Sequence, residues 1–257
     1  MKTRLLFALL LSARVLAQQP AAEASASPAP PRISYGSAHV DGPYIALTFD
    51  DGPHPRLTPK LLAILAQRHV KATFFLIGEN VQAHPEIAKQ EAEAGYEIGN
   101  HSWDHPDLKH LSDEKLRSQM QRTDDAIKAA IGHSPAIMRP PYGDLYPAQR
   151  KLVNKEFGYK IIIWDVDPND WKDPGPSVVA SRVLAETRPG SIILSHDIHA
   201  GTVAAMPQII DTLLARGFKF VTVSELIAMD KPVVKKAASA QQTQPSASPA
   251  ASATPTP

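Results

Sequence analysis

The stretch Thr48-Phe49-Asp50-Asp51-Gly52-Pro53 places two adjacent carboxylates where an apolar run, 44–49, meets a Gly-Pro turn. Side chains alternate along a strand. A pair of acids at a strand end can therefore be divided, one to hold a metal and one to stay free as a base. Alone, Asp-Gly-Pro is ordinary turn chemistry. What recurs downstream changes that reading. His101-Ser102-Trp103-Asp104-His105 carries two imidazoles four apart, a spacing that puts both on one side of a helical turn. In a chain with ten histidines, such a pair by itself is a surface or core feature. With Asp51 it becomes a set of two His and one Asp with an open coordination position, which suits a catalytic zinc. The same set suits a non-haem iron centre, so ligand type does not decide the metal.

Three further clusters carry acid–base or positioning chemistry. His196 follows the apolar Ile192-Ile193-Leu194 and is held at a strand mouth. Asp170 can pair with it and fix its tautomer. Arg139 ends a buried strand, an uncommon place for a surface cation; near Asp50 it would hold that carboxylate ionised and oriented. Pro140-Pro141 stiffens the turn that follows, making the backbone N–H of Tyr142 a fixed donor. Trp171 follows a polar loop and reads as a pocket wall, whereas Trp164 reads as core. His199 reads as a solvent-facing loop residue and His54 as a pocket-rim one.

The elements that must position these groups follow a βα rhythm. Apolar, β-prone runs fall at 44–49, 72–76, 97–99, 136–139, 160–164, 191–195 and 218–222. Helical stretches lie between them, with Thr58-Pro59, Pro85, Ser112-Asp113-Glu114, Tyr146, Pro176 and Thr202 opening helices, Thr58 as an N-cap, and a short last helix over 223–229. Seven strands alternating with helices imply a parallel sheet. A closed or partly closed barrel and an open doubly wound sheet both satisfy that pattern. The chemistry points to the barrel, because Asp50-Asp51, His101/His105, Arg139–Gly143, the acids Asp165, Asp167 and Asp170, and His196 all follow C-terminal strand ends, which converge on one face of a βα barrel.

The chain has 257 residues, no cysteine and 24 prolines. Residues 1–17 combine Lys2 and Arg4, an apolar run and a small-residue end at Ala17, the pattern of an export signal; the run is shorter than the roughly 20 residues a bilayer span needs. Residues 18–31 are Pro/Ala/Ser-rich linker, and 231–257 are a low-complexity tail. Residues 32–230 form the single catalytic domain. They carry 21 of the 27 basic and 25 of the 26 acidic side chains, and that net negative balance argues against nucleic-acid binding. Without cysteine there is no disulfide framework. The expected product is an exported monomer without a membrane-spanning segment in its mature form, periplasmic, wall-associated or extracellular.

The ordered set 48–53, 101–105, 139–143, 165–171 and 194–196 resembles the polysaccharide deacetylase family with the NodB homology domain, carbohydrate esterase family 4. The resemblance covers about residues 44–226. It implies a distorted (β/α)7 barrel of the α/β class. It also implies Asp50 as catalytic base, with Asp51, His101 and His105 holding a divalent metal, zinc above all, with cobalt, nickel and manganese as alternatives. Arg139 would tether the base, the Tyr142 amide would stabilise an oxyanion, and Asp170 would tune His196, the general acid. Trp171 and Leu194 would line the groove for an acetyl methyl. The expected reaction is N-deacetylation of N-acetylglucosamine residues in peptidoglycan or a chitin-like glycan. The rivals are an O-acetyl esterase on acetylated xylan, a wall-glycan-binding protein without catalysis, and an iron oxygenase.

Overall fold

The computed structural model describes residues 31–231. The expected export signal, nearly all of the expected linker and all but the first residue of the expected tail lie outside the described residues. Eight strands, β1 (Ser34–Tyr35), β2 (Tyr44–Asp50), β3 (Thr73–Leu76), β4 (Glu97–Asn100), β5 (Ile137–Met138), β6 (Lys160–Ile162), β7 (Ile192–Ile193) and β8 (Lys219–Phe220), form one sheet in the order β1-β6-β5-β4-β3-β2-β7, with β8 also on β2. Every pairing is parallel. The strands are connected through helices α1 (Thr58–Gln67), α2 (Gly78–Ala83), α3 (Pro85–Glu93), α4 (Asp113–Ile131), α5 (Pro147–Phe157), α6 (Pro176–Glu186), α7 (Ala200–Ala215) and α8 (Val223–Ala228). Parallel strands need such crossovers, and they put helices over the sheet.

The sheet closes on itself, narrowly. Beyond β6 the chain bends so that Val166 bridges Ile193 of β7, with Leu194 N donating to Val166 O at 3.0 Å. On the other side β2 divides its edge. Its first residues pair with β8 (Tyr44↔Lys219, Ile45↔Phe220) and its next ones with β7 (Ala46↔Ile192, Leu47↔Ile193). An antiparallel bridge from Ser37 to Ser191 adds to this closure, and the split edge with these isolated bridges is what distorts the barrel. The extra strand β1, absent from the seven expected, lies outside β6.

Alternation along β2 sorts its side chains. Ile45, Leu47 and Phe49 join the large apolar cluster with Leu61, Leu65, Phe74 and Ile209, between sheet and helices. Ala46 joins Phe75, Ile137, Ile162 and Ile192, and Thr48 and Asp50 continue that inward row as buried polar groups. The apolar barrel floor thus passes into a polar top.

Helix starts differ from expectation in three places, one of them α7, which begins at Ala200 and not at Thr202. Thr58 does not cap α1; Leu57 holds the N-cap position without a side-chain bond. The Thr58 hydroxyl is instead committed to Asp197 and to the His54 amide. Helix α2 was not expected; it begins at Gly78, whose missing side chain leaves room for Trp103 and Thr123. Ser112 caps α4 as expected.

One glycine before β7 packs tightly on the chain that follows β1. Gly190 has φ +85, and a Cβ there would lie 1.9 Å from the Ala38 carbonyl oxygen, against a backbone that the Ala38 N–Gly190 O bond holds in place. Gly158 ends α5 with φ +75, and a Cβ there would meet nothing within 4 Å. Gly158→Ala should cost about 1 kcal/mol, the strain of a left-handed alanine. Gly190→Ala should cost about 3 kcal/mol, since clash adds to strain. Denaturant midpoints of the two variants check the order.

Candidate active site

At the C-terminal end of the barrel lies a cleft of about 410 Å³ lined by Asp50, Asp51, His101, His105, Pro140, Tyr142, Trp164, Asp167, Trp171, Leu194 and His196. Its foundation is a buried ion pair. Arg139, fully buried, donates from Nη1 to Asp50 Oδ1 at 2.6 Å. A buried pair is tolerable only when its remaining hydrogen-bonding groups are satisfied. Here Nη1 also donates to Thr48 Oγ1 at 2.7 Å and Nη2 to Ile163 O at 3.2 Å. The guanidinium carbon lies 4.2 Å from the centroid of the Phe75 ring, so a cation–π contact covers its face.

Beside this pair, the chain leaves β2 through Asp51 in a left-handed conformation, φ 74. Strand alternation therefore does not separate the two acids. The turn at Asp51 does, and it returns both carboxylates to the same cleft. Asn80 Nδ2 holds the Asp51 carbonyl at 2.9 Å. Asp51 Oδ1 lies 3.3 Å from His101 Nε2 and 3.5 Å from His105 Nε2. Asp50 Oδ2 stays 3.8 Å from His101 Nε2.

The two imidazoles do not sit on a helical turn. The 101–105 segment is a loop with Ser102 and His105 at positive φ. Asn100 shapes it: its Oδ1 accepts from Ser102 N at 2.8 Å, while its Nδ2 donates to Met120 O, Asp124 and Tyr159. Ser102 Oγ then accepts from His105 N. These bonds outweigh the helical i,i+4 register. His101 Nδ1 meets the Arg139 carbonyl at 2.7 Å, which turns Nε2 towards Asp51 and links the imidazole to the ion pair.

Asp51, His101 and His105 each offer an atom within 4.8 Å of the others. Asp51 Oδ1 is buried and, among the described residues, has no hydrogen-bond partner. Burial raises the Asp51 carboxyl, but His101 and the charges of His196 and His105 outweigh it and hold the group below the usual carboxylate range. Burial lowers His101, yet Asp50 and Asp51 raise it overall; His105 is lowered by burial and by His101. Two imidazole nitrogens around an orphaned carboxylate oxygen are a donor set that fits a divalent metal.

Across the cleft, His196 Nδ1 is 2.8 Å from Asp170 Oδ1. Asp170 Oδ2 accepts from His196 N at 2.8 Å and from Thr202 Oγ1 at 2.7 Å. With Nδ1 so engaged, Nε2 is the nitrogen left to react. Burial lowers the imidazole, but the Asp170 bond and charge, with Asp50 and Asp51, push it up to about 9, so it is protonated at neutral pH.

Tyr142 has φ 60 and a side chain 68% exposed, with its ring edge-on to His105 at 4.9 Å. Trp171 and Leu194 line the cleft as expected. Trp164 packs against the apolar cluster of Phe75, Ile137 and Ile162, in keeping with the core reading, and also lines the cleft, with Arg139 5.6 Å from its ring. Of the three acids near Trp171, Asp165 pairs with Arg188 instead. His54 is not on the cleft; its Nδ1 accepts from Arg56 N and Leu57 N at the start of α1. His199 is half-buried rather than solvent-facing, 3.3 Å from Asp173.

Sequence reasoning assigned no role to Thr48, Asn80 or Asp197. Asp197, next to His196, is fully buried and packs on Gly52, where a Cβ would meet both its oxygens at 2.8 Å. Burial pushes its carboxyl up to about 7, against the Thr58 bond and with the charges of Asp51 and Asp50. Glu91 on α3 is likewise buried and raised, by burial and by Asp197. Adjacency to His196 was the one visible signal for Asp197; Glu91 had none.

Comparison with known proteins finds similar chains. Polysaccharide deacetylase is the family that matches, over residues 37–162. The chain is 43% identical over 182 residues to the peptidoglycan-N-acetylglucosamine deacetylase PgdA of Listeria monocytogenes, covering 71% of this chain and 38% of that protein's length. A peptidoglycan-N-acetylglucosamine deacetylase of Bacillus cereus is 39% identical over 198 residues, covering 74% of this chain and 72% of the relative. Among solved structures, the Bc1960 peptidoglycan N-acetylglucosamine deacetylase superposes with a TM-score of 0.74 at 35% identity, covering 78% and 96% of the two chains.

The Asp170 contact is open to direct measurement. In the metal-free protein the His196 ring should titrate at about 9. In Asp170→Asn it should fall to about 6.5 or lower, because burial then acts without the opposing carboxylate. An NMR titration of the histidine ring signals reads both values.

Proposed function

The chain belongs to the polysaccharide deacetylase family, carbohydrate esterase family 4, and on that premise we propose that it is a metal-dependent hydrolase removing N-acetyl groups from N-acetylglucosamine residues of peptidoglycan or a chitin-like glycan. The products are acetate and a free glucosamine unit. One observation carries the reading: Asp50 held by Arg139 through Oδ1 alone, a two-His one-Asp set and His196 paired with Asp170 face one cleft.

When bound by Asp51, His101 and His105, a divalent metal, zinc above all, supplies Lewis-acid polarisation of the acetamide carbonyl and a more acidic water. The remaining work falls to side chains. Asp50 Oδ2 takes the proton of the attacking water as a C–O bond forms at the carbonyl carbon, a role worth roughly 10²–10⁴ in rate. The Tyr142 N–H donates to the developing oxyanion, and one such donor is worth about 10²–10³. His196 Nε2 then gives its proton to the sugar nitrogen as the C–N bond breaks, and Asp170 stabilises the charge it carries beforehand. Trp171 and Leu194 form the wall against which the acetyl methyl packs. Action at the cell wall, after export, accords with the peptidoglycan relatives, and among the described residues no helix is long and apolar enough to cross a membrane.

The test is acetate release by zinc-loaded protein on peptidoglycan, chitooligosaccharides and acetylated xylan side by side. Release from the first or second in preference to xylan is expected; release from xylan alone favours the esterase. Asp50→Asn should lower turnover by at least about 10². His101→Ala should bind no stoichiometric zinc after dialysis, as measured by metal analysis.

A further inference from the structure

Four of the five N–H donors of Arg139 have partners among the described residues. Nε donates to Ile162 O at 3.4 Å and Nη2 to Ile163 O at 3.2 Å, while the two N–H bonds of Nη1 are divided between Thr48 Oγ1 at 2.7 Å and Asp50 Oδ1 at 2.6 Å. A guanidinium facing a carboxylate ordinarily engages both oxygens in a fork. Here it engages one. The Thr48 hydroxyl is fully buried and gives its own proton to Ile193 O at 2.7 Å. Its lone pairs are thus left to accept, and they face Arg139.

We infer that Thr48 is a positioning residue that keeps Arg139 to a single contact with Asp50, so that Asp50 Oδ2 stays open to the cleft. The consequence for turnover rests on the deacetylase reading, in which Oδ2 is the proton acceptor; the geometry does not. Without the hydroxyl, one Nη1–H has no acceptor in a dry site, which costs more than a rotation of the guanidinium. The nearest acceptor is the carboxylate already beside it. Arg139 then closes on both oxygens and withdraws Oδ2 from the water it must deprotonate. Thr48 lies two residues before Asp50 on the same inward row of β2, and it ties that row to β7 through Ile193. The contact therefore also fixes the distance between the strand that carries Asp50 and the one that leads to His196.

The experiment compares Thr48→Val, which keeps the shape and removes the hydroxyl, with Thr48→Ser, which keeps the hydroxyl. It uses the zinc-loaded full chain, with kcat and KM for acetate release and a crystal structure of each variant. For Thr48→Val, kcat should fall about tenfold to a hundredfold with KM held within about twofold. Thr48→Ser should restore kcat to within about threefold of the parent. The crystal structure of Thr48→Val should show Arg139 on both Asp50 oxygens. Equal loss in the Ser and Val variants, or Asp50 still held through Oδ1 alone in Thr48→Val, overturns the inference. If Thr48→Val does not fold, Thr48→Ala serves in its place with the same expectations. If the parent protein releases no acetate from any glycan, the functional reading fails, and the crystal structures alone decide the role of Thr48.

Discussion

The site depends on a positive charge buried at the top of the barrel. Arg139 is one of the largest fully buried side chains among the described residues, and nothing about hydrophobic packing calls for it there. Burial lowers its pKa, with Asp50 opposing; it is held there because Asp50, Thr48 and the carbonyls of Ile162 and Ile163 take up four of its five N–H donors while Phe75 covers its face. Removing one member of such a pair leaves an unpaired buried charge, a cost of about 3–5 kcal/mol. The same residue fixes His101 through its backbone carbonyl. One side chain and its own peptide group therefore place both the candidate base and the first imidazole of the metal set.

From that pair the division of the two acids follows. Asp50 ends β2 pointing inward with one oxygen held by Arg139. Asp51 leaves the strand left-handed and carries its carboxylate to the two imidazoles, where its Oδ1 has no hydrogen-bond donor among the described residues. Chemically identical groups, adjacent in the chain, meet different surroundings: one a fixed guanidinium, the other the Nε2 atoms of two imidazoles. On the far wall, Asp170 gives His196 a surrounding of the same kind, a buried carboxylate with all its partners placed.

Much of this was legible because apolar runs mark strand ends, and a parallel barrel brings those ends together. Asp50, His101, Arg139 and His196 each follow such a run, and the structure gathers them into one cleft. The barrel itself was favoured by that placement and not by periodicity, which reads the same in an open sheet. What was not legible depends on three-dimensional partners. Thr58 carries every local sign of a helix cap, but its hydroxyl belongs to Asp197, 139 residues away. His101 and His105 have helical spacing, but Asn100, tied to α4 and Tyr159, folds them into a loop. Trp164 ends an apolar run and packs on the core as that run implies, but its place on the cleft beside Arg139 comes from the chain's bend beyond β6. Helix α2 is short, and its start at Gly78 answers to Trp103 rather than to a capping residue.

The account stands on the two acids having different partners, and zinc affinity measures that most directly. Calorimetric titration of zinc into Asp50→Asn and Asp51→Asn compares the two positions at equal charge. The account predicts that Asp51→Asn binds zinc more weakly by more than about a hundredfold, while Asp50→Asn stays within about tenfold of the parent. Loss of zinc from Asp50→Asn with affinity retained in Asp51→Asn would contradict it.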